Sequence, residues 1–223
     1  MTRGWFVTGT DTGVGKTHVA VALLRALAAA GCRAVGMKPV SAGIEPHETI
    51  NVDVVALAAA GSVDAPLADR NPYAFAPAIA PHLAAAAVGV TIELDVIASA
   101  YARLLASADV VVVEGAGGAL VPLGARVDML DVAARLDLPV LLVVGLRLGC
   151  LNHALLTTVA IRARGLVCAG WVANAIDPAM PMRDENVAAL TALLPMPRVA
   201  VAAHGHAPLF DRAALAALGI DLH

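Results

Sequence analysis

The sequence has 223 residues and a net charge of −3, and 59% of its residues are apolar but only 3% are aromatic. This length suits one α/β domain over 1–223, and the weakly acidic, aromatic-poor composition argues against a nucleic-acid-binding surface. The mean hydropathy is +0.78, yet the longest uncharged stretch, 71–92, is broken by prolines and a glycine, so it does not predict a membrane-spanning helix.

Apolar periodicity, with glycine and proline breaks, divides the chain into alternating strands and helices. The first half is predicted to contain a strand over 4–8, a helix over 14–30, a strand over 34–37, a loop over 41–51, a helix over 52–60, and a helix that begins with a capping pattern at Thr91 and ends near Ser107. The second half is predicted to contain a strand over 109–114, a glycine loop over 115–118, a helix over 127–136, a strand over 140–144, a helix over 151–164, a strand over 166–173, a helix over 183–194, a strand over 198–201 and a helix over 212–218. The Pro- and Ala-rich segment 64–90 fits neither pattern.

Strands that alternate with helices predict a doubly wound, mostly parallel sheet with helices on both faces. In such sheets, ligands bind beyond the carboxyl ends of the strands. Four predicted strand ends carry polar or charged residues: 9–17, Lys38, 114–118 and 145–152. Their coincidence indicates one functional site at this edge of the sheet.

The segment after the first strand, GTDTGVGKT at 9–17, resembles the phosphate-binding loop G-x-x-x-x-G-K-[ST] but is one residue longer, because Thr10 stands where the first glycine belongs. Backbone N–H groups in such a loop bind phosphate at a helix N-terminus. Lys16 would reach the terminal phosphates, and the Thr17 hydroxyl would bind magnesium. The alternative is an ordinary glycine-rich turn, which does not explain Lys16 and Thr17 directly after Gly15.

Two charged residues stand at other predicted strand ends. Glu114 ends an apolar strand and is a natural magnesium ligand beside a phosphate loop; the alternative is an acid that faces water. Lys38 could neutralise charge on a transferred phosphoryl group; the alternative is a solvated surface lysine. The sequence contains only two lysines, Lys16 and Lys38, while arginine fills its other basic positions. This usage favours a functional role for both.

Three further features allow weaker interpretations. Asp53 is an isolated acid at a predicted helix start, where it would cap the helix or face its dipole. The helix start 149–152 could hold a carboxylate through its N–H groups. His204 and His206 have the spacing of a metal-binding pair, but the lack of a third ligand nearby favours a surface turn, and His18 is interpreted as a structural histidine.

The N-terminal residues and the cysteines predict a cytoplasmic protein. The N-terminal stretch lacks the long apolar region of a secretory signal. Cys32, Cys150 and Cys168 are far apart and form no C-x-x-C pair, which favours reduced thiols over disulfides or a zinc site.

Taken together, these segments resemble the dethiobiotin synthetase family over nearly the whole chain. The motifs that carry the resemblance are GTDTGVGKT (9–17), KPV (38–40), N-x-D (51–53), NPYAF (71–75) with PH (81–82), VEGAGG (113–118), LGCLNH (148–153) and AGWVAN (169–174). That family has the longer G-x5-G-K-T loop, so the extra residue supports the resemblance. It implies a P-loop NTPase-like domain and an ATP- and magnesium-dependent ligase. The implied reaction converts 7,8-diaminononanoate (7,8-diaminopelargonate) and CO2 to dethiobiotin through a carbamate and a carbamic-phosphoric anhydride, with release of ADP and phosphate.

The resemblance also implies roles for the matching residues. Lys16 and Lys38 would clamp the γ-phosphate and the carbamate during catalysis, and Thr12 would hold the carbamate. The implied nucleotide-binding residues are Gly13, Val14, Gly15, Lys16, Thr17, His18, Glu114 and Asn174, of which Asn174 would contact the adenine edge. The implied magnesium ligands are Thr17, Asp53 and Glu114. The implied substrate-binding residues are Thr12, Lys38, Ser41, Gly118, Gly149, Cys150, Leu151 and Asn152, the last four acting across a homodimer interface.

Three other functions are compatible with a phosphate loop. Amidating P-loop ligases need a glutamine-hydrolysing domain, for which 223 residues leave no room. Partitioning or metallochaperone ATPases commonly carry another lysine early in the loop, where this chain has Thr10 and Asp11. A nucleotide-binding module without catalysis gives no reason for Lys38 and Glu114 together.

Overall fold

The computed structural model describes residues 4–220, so residues 1–3 and 221–223 of the predicted domain 1–223 lie outside the described part. The strands are β1 (Gly4–Gly9), β2 (Ala34–Met37), β3 (Val40–Ala42), β4 (Tyr73–Phe75), β5 (Val110–Gly118), β6 (Val140–Gly145), β7 (Cys168–Asn174) and β8 (Arg198–Ala202). The helices are α1 (Lys16–Ala29), α2 (Val52–Ala60), α3 (Leu67–Arg70), α4 (Pro81–Ala87), α5 (Leu94–Ser107), α6 (Met129–Arg135), α7 (Cys150–Ala163), α8 (Arg183–Leu193) and α9 (Arg212–Ala217).

Six strands form one sheet in the order β2-β5-β1-β6-β7-β8. Every pairing in this sheet is parallel, and helices cover both faces, which confirms the predicted doubly wound α/β fold. β1 lies between β5 and β6, where the chain switches direction across the sheet, and the crevice at such a switch point is the expected ligand position. Within residues 4–220, no helix is both long enough and apolar enough to cross a membrane.

Alternating side chains of the central strands enter separate cores on the two faces of the sheet. Trp5 and Val7 of β1 pack against α1, α2 and α9, whereas Phe6 packs against α4, α5 and α6. A third cluster, around Trp171, joins β6 and β7 to α7 and α8. β1 and β6 are buried along their whole length, so their carboxyl ends are held in fixed positions.

A second, two-stranded sheet lies in the part of the chain that the sequence describes least well. β3 and β4 pair in parallel, although the sequence predicts a loop from residue 41 and no element over 64–90. The loop prediction is therefore wrong at Ser41 and Ala42. A strand of three residues offers too few alternations for a periodicity signal, and its partner lies far away in the sequence.

Two predicted boundaries also differ from the structure. β5 continues through its glycines to Gly118, which pairs with Gly9 of β1, where the sequence predicts a separate loop over 115–118. The helix predicted from a cap at Thr91 begins only at Leu94 and has no side-chain cap. The other predicted elements agree with the structure to within about two residues, the usual uncertainty of element ends.

Candidate active site

A cleft of about 760 Å³ opens beyond the carboxyl ends of β1, β2 and β5. Eight of the predicted site residues line it: Thr12, Gly13, Gly15, Lys16, Thr17, Lys38, Asp53 and Glu114. Ala42 and apolar residues from 78–81, 116–117 and 121–122 complete the wall. A smaller cavity of about 290 Å³, between α8 and β8, contains none of these eight residues.

The phosphate loop has a conformation that requires glycine at two positions. Gly13 and Gly15 have φ angles of 74° and 88°, which residues with a Cβ rarely adopt. A Cβ on Gly15 would also lie 2.1 Å from Nδ2 of Asn174, which donates to the Val14 carbonyl at 2.8 Å. Asn174, at the end of β7, therefore lies against the loop, and its contact with adenine remains a prediction.

The histidines near the loop connect α1 to the C-terminal part of the chain. Nε2 of His18 lies 2.9 Å from the carbonyl oxygen of His206. His204 and His206 are in a turn after β8, as the sequence predicts. The nucleotide contact implied for His18 remains a prediction.

Lys16 is the first residue of α1, and only 7% of it is exposed. Its Nζ donates to the backbone carbonyl of Asp11 at 3.1 Å, so the side chain folds back over the loop. Burial lowers the pKa of Lys16, and the attraction of Glu114 acts in the opposite direction. A cation held in a poorly solvated cavity attracts an incoming phosphate more strongly than a solvated one.

Lys38 follows β2 and is 5% exposed. Its Nζ donates at 2.6 Å to Oδ2 of Asp53 and at 2.6 Å to Oε1 of Glu114. Burial acts to lower the pKa of Lys38, but attraction by the two carboxylates outweighs it, so the pKa lies above its usual value. The same ammonium keeps the pKa of Asp53 below its usual value against the effect of burial. Lys38 is thus a buried, paired cation, and the alternative of a solvated surface lysine is wrong.

Glu114 is 1% exposed, so the alternative of an acid that faces water is also wrong. Its Oε1 accepts a hydrogen bond from the Thr17 hydroxyl at 2.9 Å, in addition to the one from Lys38. Its Oε2 is buried and has no hydrogen-bond partner among residues 4–220. Burial raises the pKa of Glu114, and Lys38 acts against this shift. An unpaired buried carboxylate oxygen indicates that a further partner belongs at this position.

Thr17, Asp53 and Glu114 fit a magnesium ion by their chemistry. Magnesium binds hydroxyl and carboxylate oxygens, and it commonly takes only one or two protein carboxylates beside water and phosphate oxygens. The unpaired Oε2 of Glu114 is an unused acceptor for such an ion. Among residues 4–220, no group of three or more His, Cys, Asp or Glu side chains forms a metal site by itself.

Two buried residues, Arg70 and Asn71, hold the backbone of Lys38 in place, although the sequence patterns assign a role to neither. Asn71 donates through Nδ2 to the carbonyl oxygens of Lys38 at 2.6 Å and Tyr73 at 3.0 Å, and its Oδ1 accepts the Ser41 hydroxyl at 2.9 Å. The carbonyl of Arg70 accepts the Lys38 N–H at 2.8 Å. An asparagine directly before a proline is the sequence signal that could have found Asn71.

Some of the predicted substrate residues lie outside the cleft wall. Ser41 is fully buried with its hydroxyl engaged inside the protein, and Ala42 lines the cleft next to it. At the end of β5, Gly117 lines the cleft, whereas its neighbour Gly118 does not. The segment 149–152 forms the start of α7 and is not part of this wall. The substrate roles of these residues remain predictions.

The cleft thus combines two buried ammonium groups, two carboxylates, two threonine hydroxyls and the N–H groups at the start of α1. Cations and backbone donors can hold a transferred phosphoryl group, and the carboxylates and the Thr17 hydroxyl can hold its metal ion. The apolar part of the wall suits an aliphatic segment of a second substrate. This arrangement is suited to phosphoryl transfer onto a small organic anion.

Sequence comparisons agree with this chemistry. A family model described as AAA domain matches residues 3–205. The ATP-dependent dethiobiotin synthetase BioD of Aromatoleum aromaticum is 53% identical over 204 residues, which cover 91% of each chain. The protein of the same name from Xanthomonas euvesicatoria pv. vesicatoria is 55% identical over 195 residues, which cover 86% of this chain and 87% of that one.

Solved structures with low sequence identity share the fold. The septum site-determining protein MinD of Pyrococcus horikoshii, complexed with Mg-ADP, has a TM-score of 0.56 and 19% identity over 90% of this chain and 81% of that chain. The signal recognition particle receptor FtsY of Elizabethkingia anophelis, in complex with GDP, has a TM-score of 0.54 and 15% identity over 98% of this chain and 64% of that chain. At these identities the likeness concerns the fold alone, and it confirms the predicted P-loop NTPase-like architecture.

Proposed function

The chain belongs to the family of ATP-dependent dethiobiotin synthetases, ligases of biotin biosynthesis, and we propose the chemical steps by which its cleft closes the ureido ring. In these steps, 7,8-diaminononanoate takes up CO2 as a carbamate on one amine and releases a proton. The carbamate oxygen attacks the γ-phosphorus of ATP, which gives a carbamic-phosphoric anhydride and ADP. The second amine then attacks the anhydride carbon and expels phosphate, which leaves dethiobiotin.

The observation that carries this proposal is the buried ammonium of Lys38 beside the phosphate loop. A nucleotide site alone needs only the loop lysine, Lys16. A second buried cation in the same cleft is useful when a second anion must approach the γ-phosphate, because it offsets the repulsion between the two. The carbamate is such an anion.

The other loop residues have matching roles in the proposal. Lys16 and the N–H groups of the loop would bind the β- and γ-phosphates, and Asn174 would contact the adenine edge. Thr12 lines the cleft from within the lengthened loop, so its hydroxyl would donate a hydrogen bond to the carbamate. Fixing both anions in one orientation lowers the barrier without any covalent participation by the protein.

We include magnesium in the proposal, with Thr17, Asp53 and Glu114 as its protein ligands. When bound, the ion would neutralise phosphate oxygens during transfer. Thr17 orients the Glu114 carboxylate through a hydrogen bond of 2.9 Å, and Oε2 of Glu114 is the acceptor that lacks a partner. The chain therefore holds the oxygen ligands in place before the ion arrives.

We also propose a homodimer in which the start of α7 serves the cleft of the neighbouring subunit. The outer side of α7 and its preceding turn expose Leu148, Leu155, Leu156 and Val159, with 95%, 36%, 60% and 65% of each residue accessible. Their spacing places the three helical residues on one side of α7, and a contiguous apolar surface commonly marks a protein contact. In the dimer, N–H groups at 149–152 would bind the carboxylate of the diamine substrate.

The cysteines support a cytoplasmic site of action. Cys32, Cys150 and Cys168 are all unpaired. Unpaired thiols persist in reducing compartments, whereas oxidising ones favour disulfides. We therefore place the proposed reaction in the cytoplasm.

The direct test is a reconstituted reaction. Purified protein is mixed with 7,8-diaminononanoate, bicarbonate, magnesium and ATP, and dethiobiotin is measured by mass spectrometry alongside ADP. We expect dethiobiotin and ADP in equal amounts. An ATP turnover that does not respond to the diamine would show that the proposed reaction is wrong.

A variant separates the role of Lys38 from nucleotide binding. Lys38→Met should reduce ring closure by roughly a hundredfold or more, because it removes the cation that faces the two reacting anions. Binding of ADP, which depends on the loop, should change by less than about threefold. The rate of ring closure and the binding of ADP are both measured below the melting temperature of the variant. Turnover close to that of the wild type would remove Lys38 from the mechanism.

The dimer has its own test. Sedimentation velocity of the wild type should show a dimer, and Leu156→Glu should give monomers, because it places a charge in the apolar contact. We expect the monomeric variant to bind ADP normally but to have a higher KM for the diamine. A wild-type chain that is monomeric while it makes dethiobiotin would contradict the dimer and leave the ring-closing reaction intact.

A further inference from the structure

The phosphate loop contains a carboxylate that is paired with an arginine from another loop. Nη2 of Arg147 lies 2.5 Å from Oδ2 of Asp11. Asp11 is in the loop after β1, and Arg147 is in the turn between β6 and α7. Neither residue is among those that line the cleft, and 40% of the arginine side chain and 47% of the aspartate side chain are exposed.

Asp11 also contacts the two loop residues that face the reacting anions in the proposed function. Its Oδ1 accepts the N–H of Thr12 at 2.7 Å, and its backbone carbonyl accepts Nζ of Lys16 at 3.1 Å. The pKa of Asp11 lies below its usual value, chiefly because of the Thr12 N–H; burial acts in the opposite direction, and Arg147 and His153 lower the pKa further. Asp11 is therefore a charged group that holds the loop together.

A carboxylate in this position opposes the main task of the loop, which is to bind an anion. A negative charge in the same loop as the phosphate site repels the phosphate, although solvent and salt screen part of that repulsion. Arg147 cancels that charge, and because its guanidinium meets Oδ2, it leaves Oδ1 free to orient Thr12.

We propose that Arg147 is a positioning residue for nucleotide binding: it neutralises Asp11 and keeps the phosphate loop in the conformation in which Thr12 and Lys16 face the cleft. It acts through Asp11 and does not touch the substrates. The inference rests on the proposed function only for the roles of Thr12 and Lys16, because nucleotide affinity can be measured without the diamine.

The chain offers matched variants for a test. Arg147→Met removes the cation, and Asp11→Asn removes the negative charge but keeps an Oδ1 acceptor for the Thr12 N–H. The double variant removes both charges. Arg33→Met is the control, because Arg33 and Asp109 form another exposed ion pair, 3.7 Å apart, just before β2 and β5 at the opposite edge of the sheet.

The measurement is the Kd of ADP by calorimetry at low and high salt, with ring-closing kinetics for the variants. Arg147→Met should weaken ADP binding by about three- to tenfold at low salt and by less at high salt, since the repulsion from Asp11 is screened. The double variant should recover to within about twofold of the wild type, because the repulsive charge is gone. Arg33→Met should bind ADP like the wild type, and in ring closure Arg147→Met should raise the KM for ATP more than it lowers kcat.

Three results decide between a positioning role for Arg147 and a merely structural one. If Arg147→Met binds ADP as well as the wild type, or if the double variant binds no better than Arg147→Met, the inference is wrong. A lower melting temperature with unchanged ADP affinity would show a merely structural ion pair and would also overturn it. If the wild type binds ADP and the variants behave as expected, but no dethiobiotin forms, the inference stands and the proposed function fails.

Discussion

The replacement of Lys38 by methionine gives the most direct test of the buried charge network. Methionine is similar in length and flexibility but carries no charge, so it keeps most of the packing. The variant leaves Glu114, 1% exposed, without its hydrogen-bonded cation, and within residues 4–220 the Thr17 hydroxyl is then the one remaining hydrogen-bond donor to it. Asp53 also loses the Lys38 ammonium, but it keeps a hydrogen bond from Thr17. Since 34% of its side chain is exposed, water can replace part of the lost interaction.

The size of the effect follows from the burial of the pair. Removal of one partner from a buried ion pair destabilises a protein by about 3–5 kcal/mol, because the remaining charge is left uncompensated. Since Asp53 is partly solvated, most of this loss comes from Glu114. For a domain of this size, each 1 kcal/mol lowers the melting temperature by about 2–4 °C. We therefore expect Lys38→Met to melt roughly 6–20 °C below the wild type.

Thermal melting followed by circular dichroism and a urea titration measure this change. The second variant is Lys38→Met combined with Glu114→Gln, which removes the buried negative charge as well. It should regain at least about half of the lost stability, since the penalty comes mainly from the unpaired carboxylate. Arg33→Met, which breaks an exposed ion pair, should change the melting temperature by no more than about 2 °C.

Either of two results would refute this prediction. A melting temperature of Lys38→Met within about 2 °C of the wild type would show that Glu114 is not a buried charge that depends on Lys38. A double variant that is less stable than Lys38→Met would show that the loss arises from packing around the two side chains. In both cases the charge balance inferred for the cleft would have to be abandoned.

Three further predictions concern single residues. Asn71→Ala should lose about 2–4 kcal/mol in urea denaturation, because it leaves buried carbonyl groups without donors, and a loss below about 1 kcal/mol would contradict its role. Gly15→Ala should abolish ADP binding, since its Cβ would lie 2.1 Å from Asn174 at a φ of 88°. The control Gly31→Ala, with a φ of 84° and open space around the Cβ, should bind ADP normally. Equal binding of ADP by both variants would refute this prediction. Burial raises the pKa of Cys168 to about 12, so its thiol should react with a thiol reagent at pH 8 only after unfolding in urea, and prompt labelling of Cys168 in the native protein, located by peptide mass spectrometry, would contradict the prediction.

The sequence predicts the main sheet and the ends of its strands well, because long apolar runs such as those of β5 and β6 leave little choice of conformation or burial. The phosphate loop and Glu114 are found for the same reason, since each directly follows or ends such a run. The short strands β3 and β4 are missed because each has only three residues. Their stability comes from pairing with each other and not from any local pattern.

The contacts within the site are less predictable than its members. Lys38 and Glu114 are recognised separately as residues at strand ends, but they are 76 positions apart, and only the fold shows that they are bound to each other. Asn71 is recognised only as part of a motif, because its partners lie 30 and 33 positions away. Sequence patterns report local periodicity, whereas these hydrogen bonds depend on how β2 and the second sheet meet.

The choice between lysine and arginine follows from the partners that each buried cation meets. Arg70 is 4% exposed, and its planar guanidinium donates to three backbone carbonyl groups, which suits a fixed fork of donors. Lys38 is similarly buried, but its compact ammonium has three N–H donors, of which the hydrogen bonds to Asp53 and Glu114 use two. The third donor is left for an anion that enters the cleft. An ammonium gathers all its donors on one nitrogen, whereas a guanidinium spreads them over three, so lysine suits a position where two carboxylates and an incoming anion converge on one point.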